Sequence, residues 1–371
     1  MPPKRQGRAP RKREVHLYVG TKKGGFVFRS DMRRKTWKID GPFFDGSEVT
    51  NLWRDPYSGK IWAAIVNAWF GPDLQVSTNG GKKWQKSSSG LEFGRDRGLN
   101  LARIWKLAAD REMRPDTLWC GVDPGALFRS DDGGAHWYEV TGLTQHATRP
   151  KWMAGGGGLM VHAIEPDPWD PRRIYAGISA AGFFRSDDDG RTWRALNKGV
   201  LADFNPEKFP EVGQCLHSMV LSPTKPGLIF QQNHCGVYRT RNAGEQWEDI
   251  NKGLPSRFGF PIAIDHNEEQ TIYVIPENGA ERRYVCDGAM IVYKSRNGGQ
   301  KWEKCFKGMP QKHAYAQVLR HGLSTDDHPQ KTGVYFGTNT GELWYSRNEG
   351  RKWEMMQSNL PPITSVHATT C

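Results

Sequence analysis

Ser186-Asp187-Asp188-Asp189-Gly190-Arg191-Thr192-Trp193 is the stretch that decides the fold, and Ser130-Asp131-Asp132-Gly133-Gly134-Ala135-His136-Trp137 repeats it in full. Looser copies end at Trp84 (with Ser77, Asn79, Gly81), Trp247 (Thr240, Asn242, Gly244), Trp302 (Ser295, Asn297, Gly299) and Trp353 (Ser346, Asn348, Gly350). A degenerate copy ends at Trp37, where Ser30 is kept but Met32 and Arg34 replace the acid and the glycine. Each position has a local task. The hydroxyl residue ends a strand, the Asp or Asn accepts backbone N–H bonds within a turn, and the glycine supplies positive φ. The tryptophan opens the next strand and offers a large face to a neighbouring unit. Turn chemistry accounts for the whole phrase, so its acids read as structural.

The seven tryptophans are spaced by 47, 53, 56, 54, 55 and 51 residues. Each interval holds four short strands and their turns. Seven such units predict an all-β chain, a single seven-bladed β-propeller over residues 15–371. With the strands of a blade named A to D from the axis outward, the box is the C–D turn. In the fourth unit residues 160–164 read as strand A and 173–177 as strand B. The first unit starts directly with a B strand at residues 15–20. The segment 363–368, after the last box, is therefore expected to supply its missing A strand and close the ring in blade 1, which removes an exposed edge.

Bulk properties agree with a soluble globular chain: of 371 residues, 37% are hydrophobic and 25% charged. No apolar run reaches the ~18 residues of a membrane helix, so no membrane partner is expected. The net charge of +12 is uneven. Lys4, Arg5, Arg8, Arg11, Lys12 and Arg13 crowd the N-terminus, leaving 46 basic against 40 acidic residues elsewhere. Residues 1–14 read as a disordered basic tail, and nucleic acid is expected to bind only there, if at all. No apolar core of a secretion signal follows the charges, and six cysteines are sparse, which points to the reduced cytoplasm.

The boxes resemble the BNR or Asp-box repeats of sialidases, sortilin, xyloglucan-degrading hydrolases and a photosystem II assembly factor. From about residue 15 to the end, the chain is most similar to bacterial seven-bladed proteins called exo-alpha-sialidase or BNR-repeat glycosyl hydrolase. The phrases that carry this closer likeness are Gly213-Gln214-Cys215-Leu216-His217, Gln231-Gln232-Asn233-His234-Cys235-Gly236 and Gly333-Val334-Tyr335-Phe336-Gly337-Thr338. The resemblance implies a hydrolase- or lyase-type enzyme acting on a small polar or carbohydrate-like ligand. The sortilin and photosystem likeness implies the alternative, a scaffold for binding or assembly.

Chemistry is expected on the face opposite the boxes, where the D–A and B–C connections lie. The connections 141–160 and 197–214 are long, and long loops on a rigid frame commonly carry function. His162 and His217 stand at the same place in adjacent inner strands, as their spacing to Pro168 and Pro223 shows. His321, five before Asp326 as His162 is five before Asp167, and His367, in a Val-His-Ala phrase like that of His162, are expected to join them. His234 comes from a B–C connection, and Cys215 alternates with His217 on one strand side. The metal set predicted is His162, His217, His234 and Cys215, with zinc or copper as the ion. His162 or His217 with Glu211 is the acid–base alternative, and simple bonds from each histidine to a neighbouring carbonyl the structural one. A glycosidase would need two carboxylates flanking its bond. Trp69 and Trp152 are candidate stacking surfaces for a ligand, and Gln214, Asn233, Arg320 and His367 candidate polar contacts.

Overall fold

The computed structural model describes residues 13–87, 89–155 and 158–371. The tail expected at 1–14 lies outside the described residues as far as position 12, and Glu14 already opens the first strand, Glu14–Thr21. Among the described residues the strands form seven four-stranded antiparallel sheets. Six are built from consecutive strands. The seventh takes Ile363–Thr370 as its inner strand beside Glu14–Thr21, from Val15↔Thr370 to Thr21↔Ile363. The ring is closed by the C-terminal strand in blade 1, as its sequence requires.

The core is divided among the joints of the ring. Seven buried clusters each draw on two adjacent blades; Tyr175 and Phe183 of blade 4, for example, pack with Leu216, Ile229 and Trp247 of blade 5. The box tryptophans complete these joints. Trp247 Nε1 donates to the Leu196 carbonyl of the preceding blade at 2.8 Å, and Trp302 Nε1 to Ile250 at 3.0 Å.

Six boxes share one hydrogen-bond pattern. The Ser or Thr oxygen accepts from the glycine N–H four residues on, at 2.8–3.1 Å. The Asp or Asn Oδ1 accepts from the N–H four residues beyond itself, at 2.8–3.0 Å. Gly134 shows why the glycine is needed: its φ is +88°, and a Cβ there would lie 2.2 Å from Trp62. In the degenerate box Arg34 takes the glycine's place at φ +55°. Its guanidinium is buried and donates to Asp326 Oδ2 at 2.8 Å, and to the Lys331 carbonyl at 2.9 Å. The exception thus ties blade 1 to blade 7 at the closing seam.

The site is positioned by an irregularity in the inner strands. In blade 4 the ladder passes from Val161↔Ile178 to Ala163↔Gly177, so His162 is an extra residue. Blade 5 skips His217 in the same way, and blade 3 skips Trp105. Such a bulge re-aims one side chain without disturbing the strand beyond it. In blade 2 the extra residue is Thr50 and in blade 1 it is Thr364. The expected equivalence of His367 is thereby corrected: His367 pairs regularly with Tyr18, three residues past the bulge. The likeness of two tripeptides concealed a different register.

Candidate functional site

Three bulge side chains reach a carbonyl in the next blade: Thr364 Oγ1 that of Val49, Thr50 Oγ1 that of Ile104 at 2.6 Å, and His217 Nδ1 that of Gly259 at 2.6 Å. For a threonine this bond is the whole role. An imidazole has a second nitrogen. With Nδ1–H given to Gly259, the lone pair of His217 Nε2 is left free, the tautomer a metal or an acid–base step requires. Burial drives this imidazole well below its ordinary pKa, and the charge of Arg320 adds to the effect, so the ring is neutral. Its face stacks on Phe260, with centroids 4.5 Å apart and planes at 24°.

His217 lies at a cavity of about 760 Å³ on the face of the D–A and B–C connections, among blades 4, 5 and 6. His234 and Cys215 reach the same space. The His234 N–H donates to the Cys215 carbonyl at 2.9 Å, which fixes the B–C turn over the inner strand. Its ring is gripped edge-on by Phe204 at 4.9 Å and Phe258 at 5.0 Å. Burial lowers the His234 pKa, against the opposing pull of Asp203. The ligand atoms of Cys215, His217 and His234 all lie within 4.8 Å of one another. Cys215 Sγ is also 3.3 Å from Ser179 Oγ. A thiol and two neutral imidazoles suit zinc or copper, and modest contraction would bring them to bonding distance.

The chain matches no family model. It is similar to the xyloglucanase Xgh74A of Acetivibrio thermocellus, with 23% identity over 324 residues, 79% of this chain and 36% of that protein. This chain therefore spans about a third of the length of that relative. Among solved structures, an ancestral GH74 enzyme superimposes with a TM-score of 0.57 at 17% identity, over 84% of this chain and 38% of that one. YCF48 from Cyanidioschyzon merolae superimposes with a TM-score of 0.53 at 11% identity, over 85% and 87% of the two chains. The chain is thus a seven-bladed propeller with distant sequence similarity to GH74 xyloglucanases, and it shares its fold with YCF48.

Not every residue singled out in the sequence comes to this cavity. His162 does not join the Cys–His–His group. It is fully buried, lines neither of the two main cavities, and its ring turns toward the Leu216 backbone without closing a hydrogen bond. Its neighbour is His321, whose Nε2 meets the His162 carbonyl at 2.7 Å across the axis. His321 and His367 line a second cavity of about 590 Å³ along the axis, and burial lowers both to about 3. Trp152 is a core residue rather than a stacking platform: it packs on Phe184 at 5.1 Å and donates to Thr148 Oγ1. Trp69 stands 88% exposed at the tip of a blade 2 turn and lines neither cavity. Gln214 and Asn233 are fully buried; Gln214 Nε2 holds the Pro210 carbonyl at 2.7 Å, and Asn233 bonds Gln231. Both shape the loop around the cavity. Glu211 does line it, paired with Lys151 at 3.2 Å, and Arg320 lines it too.

Sequence reasoning passed over Phe260 and Arg283. Phe260 had a signal: it stands five before Asp265, as His162 stands five before Asp167. Arg283 had none, because it lies in a blade 6 connection without a counterpart in the other blades.

Proposed function

We propose that the chain is an enzyme of hydrolase or lyase type, with Cys215, His217 and His234 binding zinc or copper in the cavity between blades 4, 5 and 6. The observation that carries this reading is the convergence of one thiol and two imidazoles on an open cavity. Three protein ligands with a free position are the pattern of catalytic rather than structural zinc. A metal held there would supply a Lewis acid and an activated water. The chain itself orients His217 through Gly259 and grips His234 between Phe204 and Phe258. It also carries Glu211 on the wall as a base once Lys151 is displaced. The cavity is of the size that takes a small sugar. The xyloglucanase similarity favours a carbohydrate-like substrate. Six unpaired cysteines, one of them in the donor set, favour a cytoplasmic setting.

Plasma mass spectrometry of the purified protein, before and after incubation with zinc or copper, tests this. One metal per chain is expected, lost in His217→Ala and in Cys215→Ser. No bound metal after supplementation would defeat the reading. A second reading, a non-catalytic scaffold, is favoured by Trp69 and Phe70, which stand side by side 88% and 89% exposed. Exposed aromatic pairs of this kind anchor protein interfaces. The scaffold would keep its full function in His217→Ala.

A further inference from the structure

One side of the cavity carries more positive charge than its own residues neutralise. Arg320 and Arg283 both lie against the Phe260 ring, at 4.8 and 5.9 Å from its centroid, on the ring that also stacks on His217. Among the described residues neither arginine forms an ion pair with a carboxylate. Arg283 Nε donates to the Ala280 carbonyl at 2.8 Å, which leaves the rest of its guanidinium free for other bonds. Arg320 lies under the influence of Cys215 and Glu277, and its Nε is buried without a partner.

The acids nearby do not cancel this charge. Glu211 is already paired with Lys151, and Glu207 lies on the loop above. Glu277 is buried behind the arginines, its Oε2 bonded by Gln317 at 3.0 Å and its Oε1 unpartnered. Burial lifts its carboxyl to about 7, against the pull of Gln317 and Arg283, so at neutral pH it is ionised only in part. Arg320, half-buried with its Nε unpartnered and no carboxylate in ion-pair contact, is costly to hold there unless an anion completes it, and the exposed Arg283 brings a second guanidinium to the same ring. Their planar forks match the paired oxygens of a carboxylate, as they do those of a phosphate.

We propose that the ligand of this cavity is a small polyhydroxy carboxylate, its carboxylate held by Arg283 and Arg320 and its hydroxyls directed to the Cys215–His217–His234 group. The inference deepens the function proposed above and rests on it for the choice of site.

The test is titration calorimetry on the protein with its metal complement as purified, using three probes: D-gluconate, the uncharged D-glucitol of nearly the same shape, and inorganic phosphate. Gluconate is expected to bind saturably and glucitol about ten-fold or more weakly, the scale of a charge-assisted hydrogen bond. Arg283→Gln should remove that preference while thermal melting stays unchanged, and Arg320→Gln should do the same where it folds. Equal binding of gluconate and glucitol, no gluconate binding, or unchanged binding in Arg283→Gln overturns the proposal. Phosphate binding as tight as gluconate overturns the carboxylate assignment. Metal analysis of the same samples separates the two ideas. Gluconate bound through Arg283 in a metal-free protein leaves the anion site standing and removes the metal. Metal bound without any charge preference removes the anion site alone.

Discussion

The outer turns and the inner strands of this propeller come from the same repeat and differ in how completely their polar groups are satisfied. In the six regular boxes the hydroxyl, the acid or amide and the glycine N–H are bonded to one another within a few residues. Asp132 shows the result. Slight burial works against its charge, yet bonds from His136, Ser130 and Ala135 hold its carboxyl at about 2. It is a fixed anion in a turn, not an acid in use. The axis is the opposite. His162, Arg320, Gln214 and Glu277 all have buried polar atoms without partners. Such groups are costly, and Arg320, the one of them that lines the cavity, marks the part of the repeat open to chemistry.

Acid should break the comparison most widely. Burial keeps His162 and His217 well below the ordinary value and brings His321 and His367 to about 3. All four are neutral when folded and take up protons more readily when unfolded. Their contribution is therefore complete above about pH 6.5 and is lost as pH falls toward 3, by about 1.4 kcal/mol per unit for each group. Melting temperature should fall steeply between pH 6.5 and 4. A flat profile would mean the axis is not dry.

Trp247→Ala comes next. It empties a joint between blades 4 and 5 and should cost about 3–5 kcal/mol in denaturant unfolding. Metal content should stay unchanged, because the outer framework and the donor set are separate. A small effect is expected from Ser186→Ala, which removes the acceptor of the Gly190 N–H at 2.8 Å and should cost about 1–2 kcal/mol. His162→Phe should change stability least, by less than about 1 kcal/mol in either direction, since it replaces an unpartnered imidazole with an apolar ring of similar shape. It should also leave bound metal intact. Loss of metal in that variant would return His162 to the donor set and erase the distinction between blades 4 and 5.

The fold was legible because its signals are local. Each box carries its own hydrogen bonds, and the missing inner strand at residue 14 left 363–370 one place to go. The donor set was legible in part for the same reason: Cys215 immediately precedes the strand that carries His217, and His234 sits in a turn of the same blade. His162 was misplaced because a repeat shows equivalent positions, not what faces them. His217 faces Gly259 and an open cavity, whereas His162 faces the Leu216 backbone and His321. Trp152 was misread because a loop tryptophan is as well suited to a joint as to a ligand. Arg283 was unreadable because its meaning comes from Phe260, in another segment of the chain.

The bulge has a consequence for how such a ring acquires new chemistry. It is a socket: Thr50, Trp105, His162, His217 and Thr364 each occupy it, and the ladder resumes unchanged one residue later. A change of residue there trades one side chain at the axis for another without re-registering the blade. These five of the seven blades carry the socket, so several can be refitted in turn while the others hold the blades together. Evolution of a new specificity in this architecture can then proceed by single exchanges, each tested inside a frame that is already folded.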